Sequence, residues 1–404
     1  MGFASGTVTF KRFFVAGQLL EGADESLLER LAAHAITRDA LQTADRSAYG
    51  WTTGDHILDT DFEPAKNVVA DGLLFALRID TNKPPAELVR SYQRQHEQAA
   101  LKASGRDFLT RTDRLQAREQ GVAQADAEAR SGAFAKMKQV PVFWDLQRGE
   151  VYLGNATSTV VEHFASLFRT TFDRVLTPVT AGELAARWST QTGLTSGLDG
   201  CRPAHFVRPP DGFEASDPSD ETEMMEGNRD YLGNEWLTWL WYASQAAAPE
   251  LASVRGRPVT VLFEKTLHLQ CAFRMSGTIA ASADNPTRLP ESAVALASGK
   301  LPVKAGLQMT VGQCAFSLTL RGDAMNYCGV RLPPAEGVVS PRAVLEQRFE
   351  QLRDVIDGVD ALYAAFLKRR LTPRKWTSTL SAVREWIAAA GKTSRPASEL
   401  TAVS

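Results

Sequence analysis

The sequence predicts an α+β fold in which antiparallel sheets are covered by helices, and three observations carry that expectation. Strand-like and helix-like segments follow one another without the even strand, helix, strand rhythm of a parallel sheet. Two strands in QVPVFWDLQRGEVYLG (139–154) are separated by only a tight turn. A long charged segment of helical spacing, residues 84–137, stands between strands as an arm with too few apolar residues to be buried.

The elements follow in order. Residues 7–16 (TVTFKRFFVA) alternate as a strand, and DESLLERLAAHAI after it starts acidic and sets Leu27, Leu28, Leu31 and Ile36 on one side of a helix. GLLFALRID (72–80) is a strand. Inside the arm, Leu101, Phe108, Leu115 and Val122 recur every seven residues, a seam that predicts one helical face held against a neighbour. After the 139–154 strands, STVVEHFASLFRTTFD opens on a Ser cap and carries Val160, Val161, Phe164, Leu167, Phe168 and Phe172, so a helix returns to cover the sheet. Residues 196–230 are rich in Pro, Gly, Asp and Glu and read as a linker or insertion. They divide an N-terminal α+β region (1–195) from a C-terminal one (231–404).

In the C-terminal region, YLGNEWLTWLWYASQAAA is a helix whose Trp236, Trp239 and Trp241 cluster with leucines, which predicts core packing rather than base stacking. VTVLFEKTLHLQCAF alternates, with Val259, Val261, Phe263, Leu267 and Leu269 on one face and Thr260, Glu264, Thr266, His268 and Gln270 mostly on the other, a long strand or hairpin with one wet face. Residues 301–330 repeat the pattern, and two helices close the chain, with Pro341 and Pro373 at first-turn positions.

Composition limits the function classes. The chain has 404 residues, 44% of them apolar, 23% charged and 8% aromatic, enough for two or three globular units. No run of eighteen apolar residues marks a membrane span, and charges interrupt the N-terminal apolar run, so a cytoplasmic protein is expected. The four cysteines have neither CxxC pairing nor a histidine at metal-ligand spacing, and read as reduced, mostly buried thiols. No GxSxG, HExxH or GxGxxG motif is present. AAAGKTS (388–394) ends like a phosphate-binding loop, but Trp386 stands where the first glycine is required and a helix precedes it. His163, on a helix, and His268, on a strand's polar face, have no nucleophile or carboxylate assignable by spacing. No catalytic residue, metal ligand or cofactor is therefore assigned.

Charge leads back to the arm. From Lys83 to Arg148 there are twelve Lys or Arg against eight Asp or Glu, within a whole chain of net charge −2. Arg111, Arg114 and Arg118 fall at i, i+3 and i+7, and Arg90, Arg94 and Lys102 at i, i+4 and i+12, so each set forms a positive stripe able to follow phosphates. Arg106, Lys136 and Lys138 complete the candidate phosphate-contact set. The competing reading is a solvated helix whose arginines pair with Glu97, Asp107, Asp113 and Glu119.

The order YGW (49–51), VADGLLFALRIDTNKPP, the charged arm, VPVFWDLQRGEVYLG and a helix ending in VLTPVT resembles the N-terminal half of the recombination-associated RdgC family. ASGKLPVKAGLQMTVGQCAFSLTLRGDAMNYCGVRLP with the helix RFEQLRDVIDGVDALYAAFL is similar to that family's ending. Residues 196–300 and the tail after Thr372 are enlargements by comparison. The resemblance implies a non-enzymatic, nucleoid-associated protein that binds double-stranded DNA with little sequence preference. As a homodimeric ring around DNA, it would modulate homologous recombination by limiting the access of recombinase filaments. Two other classes remain open on the residues alone. One is a metal-dependent nuclease using Asp55, His56, Asp59, Asp61 and Glu63 of GDHILDTDFE, or the acidic stretch from Asp211 to Glu235. The other is a phage- or mobile-element interaction protein that acts on host recombination or defence factors through that acidic stretch.

Overall fold

A computed structural model describes residues 2–37, 47–209, 228–245, 250–273, 277–335, 337 and 340–393. Its elements run β1 (Val8–Val15), α1 (Glu25–Ala33), β2 (Ser47–Thr52), α2 (Pro64–Asn67), β3 (Val68–Val69), β4 (Gly72–Asn82), α3 (Ala86–Ser104) and α4 (Arg111–Arg130). They continue with β5 (Ala135–Asp145), β6 (Glu150–Leu153), α5 (Ser158–Phe172), β7 (Leu176–Pro178), α6 (Ala181–Thr192), α7 (Thr195–Asp199) and α8 (Tyr231–Gln245). The rest is β8 (Ala252–Val254), β9 (Arg257–Cys271), β10 (Thr278–Ala283), α9 (Pro290–Ala297), β11 (Lys300–Val311), β12 (Cys314–Arg321), β13 (Asn326–Arg331), α10 (Pro341–Arg370) and α11 (Pro373–Thr393). The mixed α/β class with antiparallel sheet is as the sequence predicts. No helix among the described residues is long and apolar enough to cross a membrane.

The chain forms two compact units, and both are discontinuous. One comprises residues 1–18, 148–158 and 176–404, and the other 19–147 and 159–175. These lines differ from a division at 195 and 231, because β1 at the N-terminus pairs with β13, more than three hundred residues away, through Val8↔Val330 and Phe10↔Tyr327. Composition shifts along a chain do not report such long-range pairing.

In the first unit an antiparallel sheet runs β10-β9-β11-β12-β13-β1-β6, with β7 beside β1 and β8 beside β9. Strict alternation sends Phe316, Leu318 and Leu320 of β12 to one face, with Leu307 and Met309 of β11 and Val261 and Phe263 of β9. Helices cover that face. α10 buries Phe349, Leu352, Ile356, Val359, Tyr363 and Phe366 at helical spacing, and Trp236 of α8 meets Tyr363 edge-on at 5.3 Å. Trp241 lies against Trp386 of α11 at 5.6 Å, so the tryptophans are core, as predicted. Pro341 and Pro373 open their helices.

A buried network ties β1 to this core. The Arg12 guanidinium donates to Glu150 at 3.0 and 3.2 Å and to both Asp360 oxygens at 2.8 Å. Burial opposes its charge, but Asp360 and Glu150 outweigh that and hold its pKa well above the usual arginine value.

The second unit is a β2-β4-β5 sheet with β3 beside β4. Ala70 and Asp71, with φ of 49° and 58°, form the two-residue turn from β3 to β4, the left-handed geometry that an Asp-containing hairpin loop accommodates. α5 covers one face: Trp144 packs edge-on against Phe168 and Phe172 at 5.1 and 4.9 Å. Trp51 of the YGW motif meets Phe75 and Phe164 and donates its indole N–H to Thr171 Oγ1 at 2.8 Å.

Two expectations need correction. Only Cys201 among the free cysteines is buried, and Cys271, Cys314 and Cys328 are partly exposed, because the last three fall near strand ends or on the wet face. The arm is a helical hairpin, and its seven-residue seam does not hold it together. The reason lies in the small residues of α4, described next.

Candidate nucleic-acid interface

Local sequence dictates the hairpin. α3 stops where Gly105 takes φ 63° and donates its N–H to Leu101 O, a left-handed cap that glycine adopts without a Cβ penalty. Five residues on, Thr110 and Asp113 form a reciprocal capping box that starts α4. Those hydrogen bonds from the Thr110 hydroxyl and backbone hold the Asp113 carboxyl below its ordinary pKa.

α4 buries Ala117, Gly121, Ala125 and Ala129, one residue per turn. A Cβ on Gly121 would lie 2.7 Å from the Gln93 backbone nitrogen and 3.0 Å from its Cα, so the two helices approach backbone to backbone. Tyr92 bonds Glu128 across the pair, and His96 meets Gln124 at 3.1 Å. With a stripe of small residues in contact, the predicted seam is left on the surface. Phe108 is 73% exposed, Leu115 56% and Val122 36%.

All nine basic residues singled out in the sequence are exposed. Arg90, Arg94 and Lys102 lie on α3, Arg106 in the connecting loop, and Arg111, Arg114 and Arg118 on α4. Lys136 and Lys138 share one face of β5 where the chain returns from the hairpin. Among the described residues, one ion pair reaches this set: Arg90 to Glu87 at 2.7 Å. Among the described residues, Glu97, Asp107, Asp113 and Glu119 make no ion pair with this set, although the Arg106 charge adds to the lowering of the Asp113 pKa. Glu97 accepts from Gln93, and Asp113 is committed to its cap. At 3.6 residues per turn, Arg111, Arg114, Leu115, Arg118 and Val122 occupy about a third of the α4 circumference, so cations and apolar groups share one face.

The acidic loop is built differently from a metal site. Asp59 accepts from Thr53 Oγ1 at 2.9 Å, Asp61 N at 3.0 Å and Lys66 Nζ at 3.4 Å, and these bonds, led by the Asp61 backbone, lower its pKa. His56 Nδ1 accepts from Leu58 N. The loop is thus a clasp closed on its own side chains, and no group of His, Cys, Asp or Glu able to hold a metal occurs among the described residues. Residues 210–227, most of the acidic stretch, lie outside the described residues. At its end, Glu235 is buried and receives Arg370 Nε at 2.6 Å and Ala204 N at 2.6 Å. Lys392 and Thr393 of the AAAGKTS segment lie in the last turn of α11, so within the described residues that segment is helix and not a phosphate loop. His163 stacks on Tyr49 at 4.6 Å.

The polar face of the first unit's sheet was read from sequence only as wet, although it too carries cations. Alternation shows which side chains point out, but register is needed to see which of them become neighbours.

No protein-family model matches the chain, and no curated protein is significantly similar to it.

Proposed function

We propose that this chain is a non-enzymatic, sequence-nonspecific double-stranded DNA-binding protein that works as a homodimer encircling DNA and modulates recombination by limiting recombinase access. The observation that carries the reading is the set of exposed cations on the hairpin and the strand that follows it, eight of nine without an ion-pair partner among the described residues. An unpaired surface cation is free to neutralise a phosphate, and doing so releases a counterion condensed on the DNA. Lys and Arg side chains spread over an exposed surface are suited to the phosphate backbone, which carries no sequence information. The exposed Phe108, Leu115 and Val122 support self-association, since an apolar stripe of this kind on a projecting hairpin gains most from a matching copy. The resemblance to the RdgC family supplies the ring and the recombination role.

The test is binding to duplexes of unrelated sequence across a salt series. With about six phosphates neutralised, log affinity falls against log salt with a slope of roughly −5. Affinity that varies strongly with sequence, or does not depend on salt, contradicts the reading.

A further inference from the structure

On the sheet of the first unit, the described helices whose contacts are resolved pack on the Leu, Val and Phe face: Trp241 of α8 against Phe263, and α10 against Met309 and Val311 through Gly358. The opposite face of β9, β11, β12 and β13 is polar. Register places Lys304 beside Arg321 on one side and His268 on the other, and Gln308 beside Ser317, which in turn faces Arg331. Thr310 and Thr260 bond each other at 2.6 Å in the next row. The cations of this face are Lys11, Lys265, Lys304, Arg321 and Arg331, against Glu264, Asp323 and, near Lys11, Asp230. Glu264 is taken by Lys265 at 2.8 Å and Asp323 by Arg321 at 2.8 Å. Lys304 has no carboxylate partner among the described residues. Its positive field reaches His268, whose pKa is lowered first by burial and then by Lys304.

We infer that this open sheet face is a second contact surface for the phosphate backbone of duplex nucleic acid, separate in sequence from the helical hairpin. The inference rests on the DNA-binding reading and deepens it. Hydroxyl, amide, ammonium and guanidinium groups are the donors that phosphate oxygens accept from. No Phe, Tyr or Trp stands at the outward positions of these four strands, and His268 is the one aromatic ring there, so the face lacks the series of stacking platforms that a single strand uses. A protein partner fits less well, because Leu262 is the one exposed large apolar side chain on the face, whereas interface cores are apolar and aromatic.

Two measurements on the full chain test it with a short duplex. The Lys304→Glu/Arg331→Glu variant is expected to bind on the order of tenfold more weakly at 0.1 M salt, with the salt slope shallower by about two. In the unmodified protein, the His268 ring proton, assigned with His268→Gln, is expected to titrate at higher pH once duplex is added, because phosphate stabilises the imidazolium. The titration decides the matter should the double variant fail to fold. A protein that binds no duplex at all overturns the DNA-binding reading together with this one. Binding that is weakened by hairpin charge reversal, with His268 unmoved by duplex and the sheet-face variant unchanged, overturns this inference alone.

Discussion

Replacing Gly121 with alanine tests how the hairpin is held together. In an exposed helix the exchange would stabilise by about 1 kcal/mol, because alanine loses less backbone entropy. Here the new Cβ meets the Gln93 backbone at 2.7 Å, and backbone cannot rotate away as a side chain can. Ordinary contact requires the helices to separate by roughly 0.7–1 Å, and a gap of that size forfeits a quarter to a half of the dispersion attraction at each contact. Overpacking of this kind costs about 1–3 kcal/mol, which, set against the propensity gain of about 1 kcal/mol, leaves a net loss of up to about 2 kcal/mol. Hydrogen exchange read on peptides from α3 and α4 is the suitable assay, since it isolates local opening. Hairpin amides are expected to exchange roughly tenfold faster in Gly121→Ala, with the first unit unchanged. Equal or slower exchange would refute close backbone packing as the organising contact.

Three other outcomes are expected. Glu235→Ala leaves the buried Arg370 guanidinium without its carboxylate and should destabilise the first unit by about 3–5 kcal/mol, visible in thermal unfolding. Phe108→Ser/Leu115→Ser should lower the mass measured by size-exclusion chromatography with light scattering toward that of one chain, while circular dichroism stays the same; an unchanged mass would remove the hairpin's apolar stripe from any dimer contact. Supercoiled plasmid incubated with the protein and Mg²⁺ or Mn²⁺ should remain intact, and nicking abolished by Asp59→Ala would establish the nuclease alternative instead.

Much of this was legible in the residues. The strands of the first unit announce themselves because one face is buried and the other wet, so Phe316, Leu318 and Leu320 alternate cleanly with Ser317, Thr319 and Arg321. The tryptophans of α8 declared themselves as core by their leucine neighbours. The hairpin was harder to read. Leu101, Phe108, Leu115 and Val122 dominate any hydropathy reading, yet packing falls to Ala117, Gly121, Ala125 and Ala129, whose value is small size and not hydrophobicity. The break between the helices was marked, by glycine at 105 and the capping pair Thr110 and Asp113, signals that a single long arm passes over. The outward pairing of Lys304 with Arg321, and the place of Arg331 beside Ser317 on the same face, depend on strand register, which spacing within one strand cannot supply.

The central claim is that the hairpin's exposed cations hold duplex DNA by its phosphates. Fluorescence anisotropy with duplexes of unrelated sequence, measured from low to high salt, tests it in the unmodified protein and in Arg111→Glu/Arg114→Glu/Arg118→Glu. The variant is expected to bind every duplex more weakly to the same degree, with a salt slope shallower by about three. Affinity and slope equal to those of the unmodified protein would contradict it.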